Sequence, residues 1–418
     1  MSIDNSELLM LLGGKKSKST IGIAGQQGFG VGVYGGSPAD LTAMGLAPME
    51  GCKNPNSENY GNYIHTNGSV MVFIPAFAIR IGNASAPLYS KYGADTIEIG
   101  DVKLDGKDGW AIPRGFYDGG KLHSGFFIDK YLCSKDSTGT LAVSVKNGDP
   151  ISLYTSDTPS SSMPGCVGKI LDAITLSRAR GDHYALVSCY QWAVISLVSL
   201  AHAQNATSVE ACAWYDAAGL TNYPKGNNQQ EHDIDDRSIT FTKATSGNFY
   251  VKTGSAVPLA KTTHNGQLSG ICDVNGNKSQ AVLGWKNPEQ TRFKTAKLSV
   301  KMHDFTTDNH SDNLLFDDYT VEGFKLFNFN YWGTPALYAT DDPKFPLCGV
   351  IPKTPTTSNT GLEGFGEDTL YIAPNDDRML VVAGANRDIN RAGLWYRYGQ
   401  TYWTSAYETY GFRAAAYP

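Results

Sequence analysis

Side chains able to do chemistry are spread along these 418 residues, and in few places does their spacing make a site. Asp233, Asp235 and Asp236 offer the carboxylates that a glycosidase pairs as acid and base. Sequence spacing alone does not bring two of them to a working separation. His303, Asp304, Asp308, His310 and Asp312 could ligate a cation, yet they match no defined metal loop. The reading is no cofactor, with a structural divalent cation left open. The seven cysteines form no CxxC pair, and their odd number opposes a complete disulfide framework. They read mostly as buried thiols, with room for one bridge. Gly30-x-Gly32-x-x-Gly35 has the dinucleotide fingerprint in form only, since no βαβ unit surrounds it and Pro38 follows.

Recognition chemistry is denser near the carboxyl end. From Ala385 to Tyr410, 7 of 26 residues are Tyr or Trp, against 11% aromatics overall. Arg387, Arg391 and Arg397 carry all the positive charge there. Tyr, Trp and Arg bury large contact areas while freezing few torsions, which suits a recognition surface. A half-buried strand pair of a β-rich core would use the same residue types. As a binding surface, Tyr396, Tyr398, Tyr402, Trp403 and Tyr407 would be flat anchors, with Tyr410 in the same contact set. Arg387, Arg391 and Arg397 would meet anionic or carbonyl groups, and Asn386, Asp388 and Asn390 would tune hydrogen bonds. Trp395, Phe412 and Arg413 fall to the frame.

The rest of the composition sets what must position this stretch. With 45 Gly, 19 Pro and 18% charged residues, the chain reads as loop-rich and β-rich. A net charge of −5 without long basic runs argues against nucleic-acid binding. Acids precede the apolar patch Leu8–Leu12 and bases follow it, the reverse of a secretory signal. The uncharged segment 183–209 is long enough to span a membrane. Its Ser, Gln and His residues, with Val194, Leu197, Val198 and Ala201 on one stripe, predict a buried helix from Tyr190 to Gln204 instead. A shorter helix is predicted on the stripe Val167, Ile170, Leu171 and Ile174, stopping near Gly181. Strands are predicted from Ser69 to Arg80 and from Gly125 to Leu132.

Five pieces of this order resemble one family. They are Phe73-Ile-Pro-Ala-Phe77, Phe127-Ile-Asp-Lys-Tyr131, Gln191-Trp192-Ala193, the run from His264-Asn-Gly to Asn277, and Gly411-Phe412-Arg413. Together they resemble the C-type-lectin-like fold in its formylglycine-generating-enzyme and retroelement-diversified variable-protein branch, although Lys278-Ser279-Gln280 departs from the usual Val-Trp-Glu-Trp continuation. The resemblance implies an α+β fold, a C-type-lectin-like domain with two helices and short antiparallel sheets. It would be preceded by a small β-rich attachment or oligomerisation region. The expected division is an arm at 1–20, that region with its connector at 21–66, and the lectin-like domain at 67–418. An insertion is expected at about 300–360, and the variable stretch at 385–410.

The N-terminal text resembles phage virion proteins that carry such a domain at a tail tip. By that resemblance the chain would be a non-enzymatic receptor-binding protein of a phage tail fibre or tip. It would be made in the bacterial cytoplasm and carried on the virion. Its partners would be a host cell-surface receptor, protein or glycan, and other tail proteins, with the chain a homotrimer and no membrane insertion. The enzyme branch needs a cysteine pair in the C-terminal stretch, and no Cys follows Cys348. Calcium-dependent sugar binding needs triplets of which only Ala373-Pro374-Asn375 has a trace. A glycan-degrading or protein-modifying enzyme and a purely structural virion component are the alternatives.

Overall fold

The computed structural model describes residues 20–155, 158–216, 223–245, 250–286, 292–320, 331–332, 350, 368–372, 378–388 and 392–418. Asn390, Arg391, residues 1–19 of the expected arm, the Ala373-Pro374-Asn375 triplet and most of the expected insertion lie outside these residues.

The chain combines few helices with small sheets and many turns. One sheet is built from β1 (Leu46–Pro48), β2 (Asn62–His65), β3 (Val70–Pro75), β4 (Gly125–Asp129), β5 (Tyr184–Leu186) and the closing strand. Its order is β1-β2-β3-β4, then the closing strand Ala414–Ala416, then β5, with every pairing antiparallel. The end of the chain is thus clamped between two earlier strands. Every residue of β4 and of the closing strand is buried, as expected of strands covered on both faces. The expected boundary at residue 66 falls inside this sheet. Ile21, Phe29 and Val31 also join the main core, so 21–66 shares sheet and core with the residues C-terminal to it.

The two longest helices among the described residues are α1 (Asp172–Arg178) and α2 (Cys189–Asn205). The stripe placed Val167 in the first helix; it lies before α1 and is 65% exposed. Four backbone and side-chain hydrogen bonds to Asp172 fold the approach instead, from the amides of Val167, Gly168 and Lys169 and the Ser160 hydroxyl. α2 begins at a capping box: the Ser188 hydroxyl accepts from Gln191 N at 3.1 Å, and the Gln191 side chain accepts from Ser188 N at 2.9 Å. Residues 189–204 of α2 are all buried, which explains the missing charges. Its hydroxyls turn inward: Ser196 and Ser199 bond carbonyls one turn back, and also Leu394 O and His264 O. Among the described residues no helix is long and apolar enough to cross a membrane.

The second six-stranded sheet comprises β6 (Ser279–Val282), β7 (Tyr331–Trp332), β8 (Thr369–Ile372), β9 (Arg378–Ala383), β10 (Gly393–Tyr402) and β11 (Tyr410–Gly411). Its order is β7-β8-β10-β9-β6-β11, with β8–β10 and β6–β11 parallel. β12 (Ala414–Ala416) then leaves it for the first sheet. Gly411-Phe412-Arg413 bridges the two sheets. The buried Arg413 guanidinium donates to the Gln280 side chain at 2.7 Å and to the carbonyls of Asp129, Lys130, Cys272 and Asp273.

Candidate functional site: a tyrosine-lined pocket

β10 decides which side chains of the aromatic stretch meet solvent. Successive residues of a strand point to opposite faces. From Arg397 to Tyr402 the burial alternates, with Tyr398, Gln400 and Tyr402 half-exposed and the residues between them buried. Trp395 and Arg397 lie on the other face, against α2. The Arg397 guanidinium donates to Leu394 O (2.8 Å), Tyr396 O (3.0 Å), Val350 O (3.2 Å) and the Ser196 hydroxyl (3.2 Å). The start of β10 is pinned by Asp368, which accepts from Trp395 N at 2.7 Å and pairs with the buried Lys225 ammonium at 2.6 Å.

On the open face, β8, β9, β10 and the turn before β11 enclose a pocket of about 720 Å³. Tyr371, Tyr396, Tyr398, Tyr402, Tyr407 and Tyr410 all line it, with Arg378, Arg387, Asp388 and Gln400. Tyr398 is sandwiched in a ladder, 5.2 Å from Tyr371 at 22° and 6.3 Å from Tyr396 at 14°. Tyr407 and Tyr410 form a second pair 5.0 Å apart. Arg378 lies over the Tyr402 ring at 5.0 Å and donates to Gln400 O at 2.9 Å. That cation–π contact holds a long side chain against the wall. The Arg378 Nε is buried with no hydrogen-bond partner.

Two of the phenols are held by hydrogen bonds. Tyr398 OH donates to Gln400 Oε1 at 2.5 Å, and Tyr410 OH shares a hydrogen bond with the Thr401 hydroxyl at 2.8 Å. Burial pushes the Tyr398 phenol up to about 12 and raises those of Tyr396 and Tyr410, with the Asp388 charge adding to Tyr396. The charges are balanced on the spot. Arg387 pairs with Glu408 at 3.0 Å, and Asp388 caps the turn by accepting from Ala385 N at 2.6 Å. The turn is tight: Ala383 and Gly384 both have positive φ, and a Cβ on Gly384 would lie 2.8 Å from the Ala392 Cα.

The expected contact set therefore divides. Arg387, Asp388, Tyr396, Tyr398, Tyr402, Tyr407 and Tyr410 come together at the pocket. Three expected contacts are corrected to frame positions. Arg397 is fully buried beneath β10. Trp403 is 3% exposed and packs on His310 with ring centres 5.7 Å apart, its carbonyl accepting from Leu171 N. Asn386 is 2% exposed, its backbone N–H donating to Asn277 O at 3.1 Å. Asn390 and Arg391 lie outside the described residues. Arg378, Tyr371 and Gln400 were missed. Arg378 stands two residues before the apolar run Leu380-Val381-Val382, so a longer window would have included it. Tyr371 reaches the pocket only through the parallel pairing of β8 with β10, which leaves no local trace.

The other candidates have structural occupations. Asp233 accepts from the amides of Gly226, Asp235 and Asp236, closing a turn. Asp236 pairs with Lys261 at 2.5 Å. His303 Nδ1 bonds Tyr184 O at 2.7 Å, and no three His, Cys, Asp or Glu side chains cluster for a metal among the described residues. Gly30 fits where a Cβ would meet Val198, His264 and Asn265, so its glycine serves close packing. Of the cysteines, Cys52, Cys133, Cys189, Cys212 and Cys272 are buried free thiols and Cys166 is a half-buried one.

No family model matches the chain, and no curated protein matches it. Among solved structures it is similar to one titled Major Tropism Determinant U1 Variant. The identity is 10% and the TM-score 0.28, over 84% of this chain and 63% of the other. The chain thus spans less than two thirds of that structure. A likeness this loose fixes neither the fold family nor the function.

Proposed function

We propose that the chain is a receptor-binding protein of a phage tail, presenting the tyrosine-lined pocket on a rigid C-type-lectin-like frame. One observation carries this reading. Six tyrosines from three strands and a turn converge on one open concavity, while the residues behind them are locked by buried hydrogen bonds. Rings held in advance lose little freedom on binding, so their contact area turns into affinity. A pocket of this size takes a protruding loop, a side-chain cluster or a short stretch of glycan. The expected partner is a host-surface receptor. Trimerisation through the N-terminal region and attachment to other tail proteins belong to the same proposal, since avidity multiplies weak single contacts. The lining groups are phenols, two arginines and one turn-capping carboxylate, a set suited to holding a partner.

The test replaces Tyr398 and Tyr402 by Ala together and measures retention of labelled protein on a panel of bacterial cells, alongside the melting temperature. Retention should fall by at least about tenfold, as for central aromatic anchors. The melting temperature should move by no more than a few degrees, on the order of 1–2 kcal/mol, because both rings are half-exposed. Undiminished retention by a folded double variant would sink the reading.

A further inference from the structure

The charges of the tyrosine-lined pocket bear on what a partner must carry, an inference that rests on reading that concavity as the binding site. Among the described residues, the charged side chains lining it are Arg378, Arg387 and Asp388. Two of these are already answered. Arg387 pairs with Glu408 at 3.0 Å, and Asp388 accepts from Ala385 N at 2.6 Å. Arg378 has no carboxylate partner among the described residues. Its guanidinium donates to Gln400 O at 2.9 Å and to Tyr402 OH at 3.4 Å, and its Nε is buried without an acceptor. A guanidinium has more N–H donors than these two bonds use, set in a planar fork that matches a carboxylate. A half-buried cation short of acceptors is costly until an anion meets it.

The fork is also held in place. Arg378 opens β9, its backbone is paired with Tyr402 of β10, and the Tyr402 ring lies under the guanidinium at 5.0 Å. A group fixed in advance loses little freedom on binding. The phenols favour the same ligand. Tyr371 stacks on Tyr398, and Arg378 covers a face of Tyr402. With those faces taken, the two rings offer their hydroxyls and edges, and the edge of an aromatic ring is its positive side. The Arg378 charge reaches these hydroxyls, since it opposes the rise of the Tyr398 phenol. A sugar needs an open ring face to lie on, whereas a carboxylate on a short side chain needs only the fork and the hydroxyls beside it. We propose that the partner enters this pocket as a protein loop bearing an Asp or Glu side chain, and that Arg378 selects it by taking the carboxylate in its guanidinium fork.

The experiment pans the full chain against a library of random, disulfide-closed peptide loops. The loops retained should share an Asp or Glu at one position, and changing it to Asn or Gln should weaken binding by on the order of tenfold. Arg378→Gln should cause the same loss, and the two changes together should lose little more than either alone, the mark of direct contact. Arg378→Lys keeps the charge but not the fork and should recover only part of the binding; it carries the cycle if Arg378→Gln melts early. Retained loops that need Tyr398 and Tyr402 but share no acidic residue overturn this inference and leave the pocket as the binding site. Loops indifferent to Tyr398→Ala/Tyr402→Ala overturn both. A parallel titration uses oligosaccharides of glucuronic acid and of glucose. Arg378-dependent binding of the acidic sugar, with no acidic loop selected, makes a glycan the occupant and overturns the proposal.

Discussion

Two arginines of the aromatic stretch, ten residues apart, are given opposite duties by their surroundings. Arg387 is more than half exposed and answers Glu408 at the rim of the pocket. Arg397 is sealed beneath β10, donating to three carbonyls and the Ser196 hydroxyl. Arg387→Ala should change stability by no more than about 0.5 kcal/mol, as expected for an exposed ion pair. Arg397→Met keeps the volume but strips the donors, leaving buried carbonyls without partners. It should cost more than about 2 kcal/mol in urea denaturation. If both variants melted alike, the division of the stretch into rim and frame would be wrong. Arg413→Met should be at least as damaging, because one guanidinium donates to carbonyls of both the end of β4 and the 272–273 turn.

At the level of elements, α2 and β10 show what the sequence made legible. α2 could be read because an uncharged segment with an apolar stripe and a serine–glutamine box has few other solutions, and it begins within a residue of the expected start. Ser188→Ala should cost about 1 kcal/mol, the usual worth of a lost cap, and calorimetry would show it. Four of the five quoted motifs also fell where buried polar groups hold elements together. Asp129 of the second motif clasps Arg180 at 2.5 and 3.0 Å, and His264 of the fourth joins Gly30 to Ile271. β10 was half legible. Its composition announced a surface, but period-two alternation puts Tyr396 and Tyr398 on one side and Trp395 and Arg397 on the other. Treating every Arg and Tyr as contact ignored that period. The long-range pairing of β8 with β10, which brings Tyr371 against Tyr398, has no signature in neighbouring residues and had to come from the structure.

For the whole molecule, buried titratable groups set the response to pH, and they pull in opposite directions. His202 accepts from Gly25 N through Nδ1 at 3.0 Å and bonds Ala211 O through Nε2 at 2.9 Å. His264 accepts from Ile271 N and bonds Gly30 O in the same manner. A proton on either Nδ1 would face a backbone N–H, and burial lowers the two imidazoles to about 4 and about 3. Their folded values lie below the ordinary value of 6.5, so their contribution is intact above about 6.5 and is lost as pH falls through 4 and 3. Asp95 and Asp233 work the other way, since burial pushes them up to about 7 and about 6. Their contribution is intact below the ordinary 3.8 and is lost as pH rises through those values. Between about 4 and 6.5 these four groups oppose one another, the histidines favouring the folded state as pH rises and the two carboxyls disfavouring it. Asp95 is the one to remove, because its Oδ1 is buried without a partner. Asp95→Asn should leave the histidine slope less opposed: relative to the parent its stability should gain steadily as pH rises from about 4 to about 7. Urea midpoints at intervals across that range measure the divergence. Parallel curves would mean that the Asp95 carboxyl titrates as it does in the unfolded chain, and that the buried histidines are balanced by some other group.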